Sequence, residues 1–152
     1  MIHLKPATIS EALEVASNLR PEDKSELEGM GFTPFQVVLG VLFTKDPQAF
    51  YNYQGELAGV GGVIPDEEGN GYIWMLCTPA VQKLSVAFYR QARRHLSTLE
   101  KQYKMLYSNC DHRNSMHHRL LTHLGFKAIN TIPVGPLNLP YYEVVKLCAP
   151  QL

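Results

Sequence analysis

The chain has no charge of one sign to spare: 14 lysines and arginines offset 14 aspartates and glutamates over 152 residues. Bulk nucleic-acid binding needs a basic surface that releases counterions, so that class is excluded for the chain as a whole. Apolar runs of membrane-spanning length are also missing. The opening MIHLKPATIS has no apolar stretch of the secretory-signal kind, which leads to the expectation of a cytoplasmic protein. Cysteine is scarce. Cys77, Cys110 and Cys148 are odd in number, widely spaced and free of any CxxC or Cys/His zinc pattern, so reduced and mostly buried thiols are expected. Histidine supplies no metal pair either. His117 and His118 are adjacent and project about 100° apart on a helix, and His118 and His123 are five apart. No metal is expected, and no repeat or low-complexity linker divides the chain. Its length suits one domain, residues 1–152.

What is present is apolar material in alternating patterns: 45% of residues are hydrophobic and 10% aromatic, enough for a packed core. Ile2-His3-Leu4 reads as a first strand stopping before Pro6. Ser10 reads as the N-cap of a helix ended by Pro21. Glu22–Glu28 suits a second helix, stopped by Gly29 and Gly31. Thr33-Pro34 reads as the start of a third helix over Phe35–Phe43, although its valine pair also leaves a strand open. Ala49–Gln54, Leu57–Ile64 and Tyr72–Thr78 read as a meander joined by short turns. A long amphipathic helix follows over Gln82–Tyr103, its Lys83, Arg90, Arg93 and Arg94 forming a solvated basic face. Lys104–Cys110 returns to a strand, Ser115–Leu124 is a helix closed by Gly125, and Phe126–Asn130 and Tyr141–Leu147 are the last strands. Mixed strands and helices give an α/β (α+β) class with a mixed, mostly antiparallel sheet.

Two stretches carry a resemblance. In the first, a strand ends at Thr78, breaks at Pro79, and Gln82-Lys83-Leu84-Ser85-Val86-Ala87 opens a helix. A helix N-terminus offers free N–H groups and a partial positive charge that suit a phosphate. This resembles the acetyl-CoA site of the GCN5-related N-acetyltransferase (GNAT) superfamily, whose pattern is Gln or Arg, two residues, Gly, one residue, Gly or Ala. Gln82 and Ala87 match it, and Ser85 departs from the middle glycine. The second is Asn114 followed by Gly125-Phe126, similar to the family's asparagine, short helix and Gly-Phe. The position of the family's thiolate-protonating tyrosine falls on Leu121, which has no proton to give. Leu84-Ser85 and the Asn-Ser…Arg-Leu-Leu…Leu-Gly stretch also loosely resemble the GNAT-like internal virion proteins of T7-type podophages.

The resemblance implies one GNAT-like domain, with a sheet that splays into a V after strand four. It implies acetyl-CoA as cofactor, held by Gln82, Lys83, Leu84, Ser85, Val86 and Ala87 at the diphosphate and by Asn114 at the pantetheine. Backbone N–H groups around Leu76, Cys77 and Thr78 would polarise the thioester, with Cys77 at the centre. Asp111 and His112, after strand five, are the candidate base, weighed against a solvated strand-end turn. Cys110 as a nucleophile and Tyr103 or Tyr107 as a replacement acid are weighed against ordinary core positions. The acceptor would be a small-molecule or protein amine, and the protein a monomer or homodimer. The virion likeness implies the alternative: a non-catalytic particle component with phage-protein partners that keeps the fold.

Overall fold

A computed structural model describes residues 3–148. Its elements run β1 (Leu4–Pro6), α1 (Ile9–Ser17), α2 (Pro21–Gly29), α3 (Gln36–Phe43), β2 (Lys45–Tyr51), β3 (Leu57–Pro65), β4 (Gly71–Cys77), a 3-10 turn (Pro79–Lys83), α4 (Val86–Glu100), β5 (Met105–Asp111), α5 (Ser115–His123), β6 (Lys127–Val134) and β7 (Leu139–Leu147). The seven strands form one sheet in the order β1-β2-β3-β4-β5-β7-β6. All neighbours pair antiparallel except β4 and β5. Those two are parallel and stay paired only at Gly71–Leu106 and Tyr72–Tyr107. Beyond that point they part, so the sheet opens into the V that the resemblance implied.

Side-chain alternation explains where the helices sit. On one face, Ala49, Val60 and Leu76 pack with Val15 of α1, Val37 of α3 and Leu27 of α2. On the other, Val63, Leu106 and Cys110 pack with Leu96 and Leu99 of α4 and Leu121 of α5. Phe50, Cys77 and Phe88 continue that second face. The covered faces account for the buried core.

Several boundaries differ from the sequence reading. The first helix is capped by Thr8, not Ser10. Thr8 Oγ1 accepts from Glu11 N, and the Glu11 carboxylate accepts from Thr8 N, a reciprocal box in which the glutamate three residues on decides the start. That helix ends at Asn18. Pro21 is the first residue of α2, where its missing N–H removes no bond. The first strand begins at Leu4, and Met1 and Ile2 lie outside the described residues. Strand β2 starts four residues before Ala49, at Lys45, and β6 runs on through Pro133 to Val134. The long helix expected over Gln82–Tyr103 is two elements. The 3-10 turn ends at Lys83, Leu84 and Ser85 are extended, and α4 runs Val86–Glu100.

Gly135 lies in the β6–β7 turn with φ +74°, and a Cβ added there would run into the Gly29 carbonyl at the end of α2. Gly135→Ala is expected to cost about 1–3 kcal/mol, through left-handed strain and the forced retreat of α2. Urea unfolding of the variant measures it.

Candidate active site

The splay leaves a gap in the sheet, and α2 closes it with side chains. Asp23 and Glu26, three residues apart, share one side of α2, and Arg20, its N-cap residue, lies beside them. In a helix with one leucine and no apolar stripe, this polar side is the one that turns inward. Asp23, 1% exposed, accepts from Cys77 N at 3.0 Å, from Asn114 Nδ2 at 2.8 Å and from the Arg20 guanidinium at 3.3–3.4 Å. The Arg20 backbone N–H donates to Cys77 O at 2.8 Å, and Arg20 Nη2 donates to Asn114 Oδ1 at 2.5 Å. Glu26 accepts from Asp111 N at 2.8 Å and meets His117 Nδ1 at 2.9 and 3.2 Å. Tyr141 Oη donates to the Glu26 carbonyl at 2.5 Å.

The Glu26–His117 pair crosses the sheet through the gap. Glu26 comes from the α2 side and His117 from α5 on the other. Both are buried, and Cys110 offers its sulfur within 4.8 Å of them. Burial alone would favour a neutral imidazole. The Glu26 carboxylate, with help from Cys110, outweighs it and holds His117 well above the ordinary imidazole value. Burial pushes the Cys110 thiol up, against a smaller pull from His117, so this cysteine is not an activated nucleophile.

Two cavities flank the gap. One, of about 280 Å³, lies on the α2–α3 side and is walled by Leu27, Phe32, Val37, Leu39 and Ile64 among others. The other lies under α4 and α5, against Phe88, Ala92, Leu120, Leu121 and Leu124. Both reach Trp74, Met75 and His117, so they converge where β4 and β5 separate.

The residues singled out from sequence are distributed unevenly around this point. Cys77 and Asn114 come together, but through Asp23: the Cys77 N–H and the Asn114 amide are both bonded inside the protein. Asn114 also caps α5, accepting from His117 N at 3.4 Å. Leu76 is buried and lines the larger cavity. The Thr78 hydroxyl donates to Leu57 O and accepts from Ala80 N, which shapes the turn after β4. Asp111 and His112 line neither cavity. Asp111 is held by Arg113, with Nη2–Oδ2 at 2.6 Å. Burial would raise its carboxyl, and the Arg113 guanidinium more than offsets this and lowers it. His112 is exposed and its Nδ1 lies 2.9 Å from Pro140 O. Leu121, at the tyrosine position, is core-packed and lines the α4–α5 cavity.

At the far end, Ser85 is the N-cap of α4. Its hydroxyl accepts from Phe88 N at 3.1 Å. Val86 and Ala87 follow, both exposed, and their first-turn N–H groups have no carbonyl one turn back. Gln82 is exposed, Lys83 Nζ donates to Gln54 Oε1 at 3.0 Å, and Leu84 packs against the core. Residues the sequence reading left out are Arg20, Asp23, Glu26 and His117. Arg20, Asp23 and Glu26 share a three-residue spacing in a mostly polar stretch, which does not by itself show which way they face, and His117 carries no such pattern.

No family model and no curated protein matches the chain. Solved structures do. A putative acetyltransferase from Salmonella typhimurium, yncA, solved with acetyl-CoA, is 13% identical over 98% of this chain and 95% of its own, with a TM-score of 0.67. The chain has the GNAT fold. An aminoglycoside 6'-acetyltransferase of type Ii is 18% identical over 100% of both chains, TM-score 0.65. The spermidine N-acetyltransferase of Vibrio cholerae, in complex with CoA and spermine, is 11% identical over 95% of this chain and 94% of its own, TM-score 0.64. The parallel β4–β5 pair that parts after two residues belongs to this GNAT fold. Among the described residues, no helix is long and apolar enough to cross a membrane.

Proposed function

We propose that this GNAT-fold chain is an acetyltransferase that moves an acetyl group from acetyl-CoA to an amine. The observation that carries the reading is the meeting of two cavities, one from each face of the sheet, at Trp74, Met75 and His117. A two-substrate transfer needs two approaches to one point. Solved proteins of the same fold, including the CoA- and spermine-bound one, support it.

The residues fit the cofactor at its diphosphate end. A 15-residue helix presents exposed amides at Val86 and Ala87, with Gln82 and Lys83 beside them. Bound there, acetyl-CoA supplies an acetyl thioester. The cavity under α4 and α5 excludes water with Leu120, Leu121 and Leu124, and the α2–α3 cavity receives the amine. The Cys77 N–H has no part in this route while Asp23 holds it.

Calorimetric titration with acetyl-CoA tests the reading through Ser85. Ser85→Asp keeps a capping oxygen for Phe88 N, so stability is retained, yet it sets a negative charge against the diphosphate and abolishes binding. Ser85→Ala costs about 1 kcal/mol of stability and weakens binding less. Absence of binding by the unaltered protein at millimolar acetyl-CoA defeats the proposal. One specific observation favours a second reading, a non-catalytic GNAT-fold interaction protein: the donors expected to meet the thioester and pantetheine, at Cys77 and Asn114, are both taken by Asp23. Neighbouring portal, capsid or tail genes would support that reading with phage particle proteins as partners.

A further inference from the structure

Resting on the acetyltransferase reading, we propose that His117 is the proton carrier of the transfer, giving a proton to the departing sulfur and taking one from the acceptor nitrogen. His117 is the ionisable side chain that lines both cavities, so one ring can face the two reacting partners. It lies one turn before Leu121 on α5, and therefore on the same side of the helix as the residue that cannot supply a proton. Its Nδ1 is held by Glu26 at 2.9 Å, which fixes the ring; the Cys110 thiol also hydrogen-bonds the ring, and proton exchange is assigned to Nε2. A base oriented by a carboxylate at its other nitrogen is the general arrangement for acid–base work. The charged and titratable groups facing the ring are Glu26 from α2 and Cys110 from β5, and Glu26 dominates. Asp111 and His112, the sequence candidates, reach neither cavity.

The acceptor nitrogen forms a bond to the acetyl carbon. The carbon–sulfur bond breaks with its electron pair on sulfur, and the Nε2 proton of His117 passes to that sulfur to give a thiol. The neutral imidazole then takes the surplus proton from the new nitrogen–carbon centre, leaving a neutral amide and restoring the imidazolium. Neither oxidant nor reductant is needed. An imidazolium so placed also stabilises a thiolate, which gives a signal independent of turnover.

The test uses free CoA bound to the whole protein and follows thiolate absorbance in the ultraviolet as pH is raised. Beside His117 the bound sulfur is expected to ionise at lower pH than in solution, and His117→Gln removes that shift while CoA affinity at a pH where the thiol is protonated stays within about threefold. With an amine acceptor, His117→Gln lowers kcat by roughly 10²–10⁴-fold with little change in KM. Glu26→Gln, which keeps an oxygen against the ring, moves the alkaline limb of kcat to lower pH and serves if His117→Gln does not fold. Identical sulfur titration in the unaltered protein and the His117→Gln variant overturns the assignment, as does an unchanged kcat in the variant with acetyl transfer intact. A sulfur that responds to His117→Gln, in a protein that acetylates no amine, overturns acetyl transfer itself.

Discussion

Asp23→Ala lowers the stability of the protein by about 3–5 kcal/mol. The figure follows from what the carboxylate serves. It is the buried counter-charge of Arg20, and it accepts from Cys77 N and Asn114 Nδ2. Truncation removes the buried counter-charge of a guanidinium 7% exposed, leaving it Asn114 Oδ1 and the Glu22 carboxylate, and strips two N–H donors of their acceptor. For a domain stable by about 5–15 kcal/mol, that is a large fraction. Asp23→Asn keeps an oxygen for one donor, loses the charge, and falls between. Urea unfolding measures both. A loss below about 1 kcal/mol for Asp23→Ala would mean that Arg20 is adequately served by Glu22, 3.4 Å away, and that the network does not hold α2 in place. The same variant separates the two functional readings. With the Cys77 N–H released, an acetyltransferase is expected to bind acetyl-CoA more tightly per folded molecule, whereas an interaction protein gains nothing.

The second large effect is a loss of stability on raising pH. The folded state holds the His117 proton more tightly than the unfolded chain does, because of Glu26. The stabilisation from this pair is therefore fully present below the unfolded imidazole value of about 6.5 and is lost as pH climbs through the raised folded value. Asp111 has the opposite sign: its carboxyl is lowered in the fold, so its contribution is present above the unfolded carboxylate value and lost in acid. Thermal unfolding across pH is expected to show both flanks. Glu26→Gln flattens the alkaline flank, spares the acid one, and at neutral pH destabilises by about 3–5 kcal/mol because a buried imidazolium loses its counter-ion. Parallel curves for the two proteins above neutrality would show that the pair is not coupled to folding.

The fold was largely legible because its signals are local. Alternation marked the meander, Pro79 marked the end of β4, and Gly125, with φ +95°, marked the close of α5. The spacing from Gln82 to Ala87 and from Asn114 to Phe126 pointed to the GNAT likeness and so to the splay. The boundary errors came from competing caps: Thr8 with Glu11 outcompetes Ser10, and Ser85, read as part of a helix, is the residue that starts one. The site was less legible because its bonds are long-range. Asp23 meets Asn114 across 91 positions, and so does Glu26 with His117. No local pattern reveals that a polar helix turns its charged side into a gap between strands. Leu121, at the position the resemblance gives to a tyrosine, is packed in the core. His117, one turn earlier, shows no partner in its own stretch of sequence, because Glu26 lies on another element.

The opening between β4 and β5 has a consequence for self-association. β4 leaves β5 after Tyr72, which turns amides and carbonyls sideways inside the sheet, and at Cys77 the amide is bound by Asp23 of α2 and the carbonyl by the N–H of its N-cap residue, Arg20. That helix thus does the work that a charged rim or a bulge does at an outer strand: it keeps an adhesive backbone from pairing with a second chain. Unseating α2 would expose these groups in the middle of the molecule as a template for strand exchange.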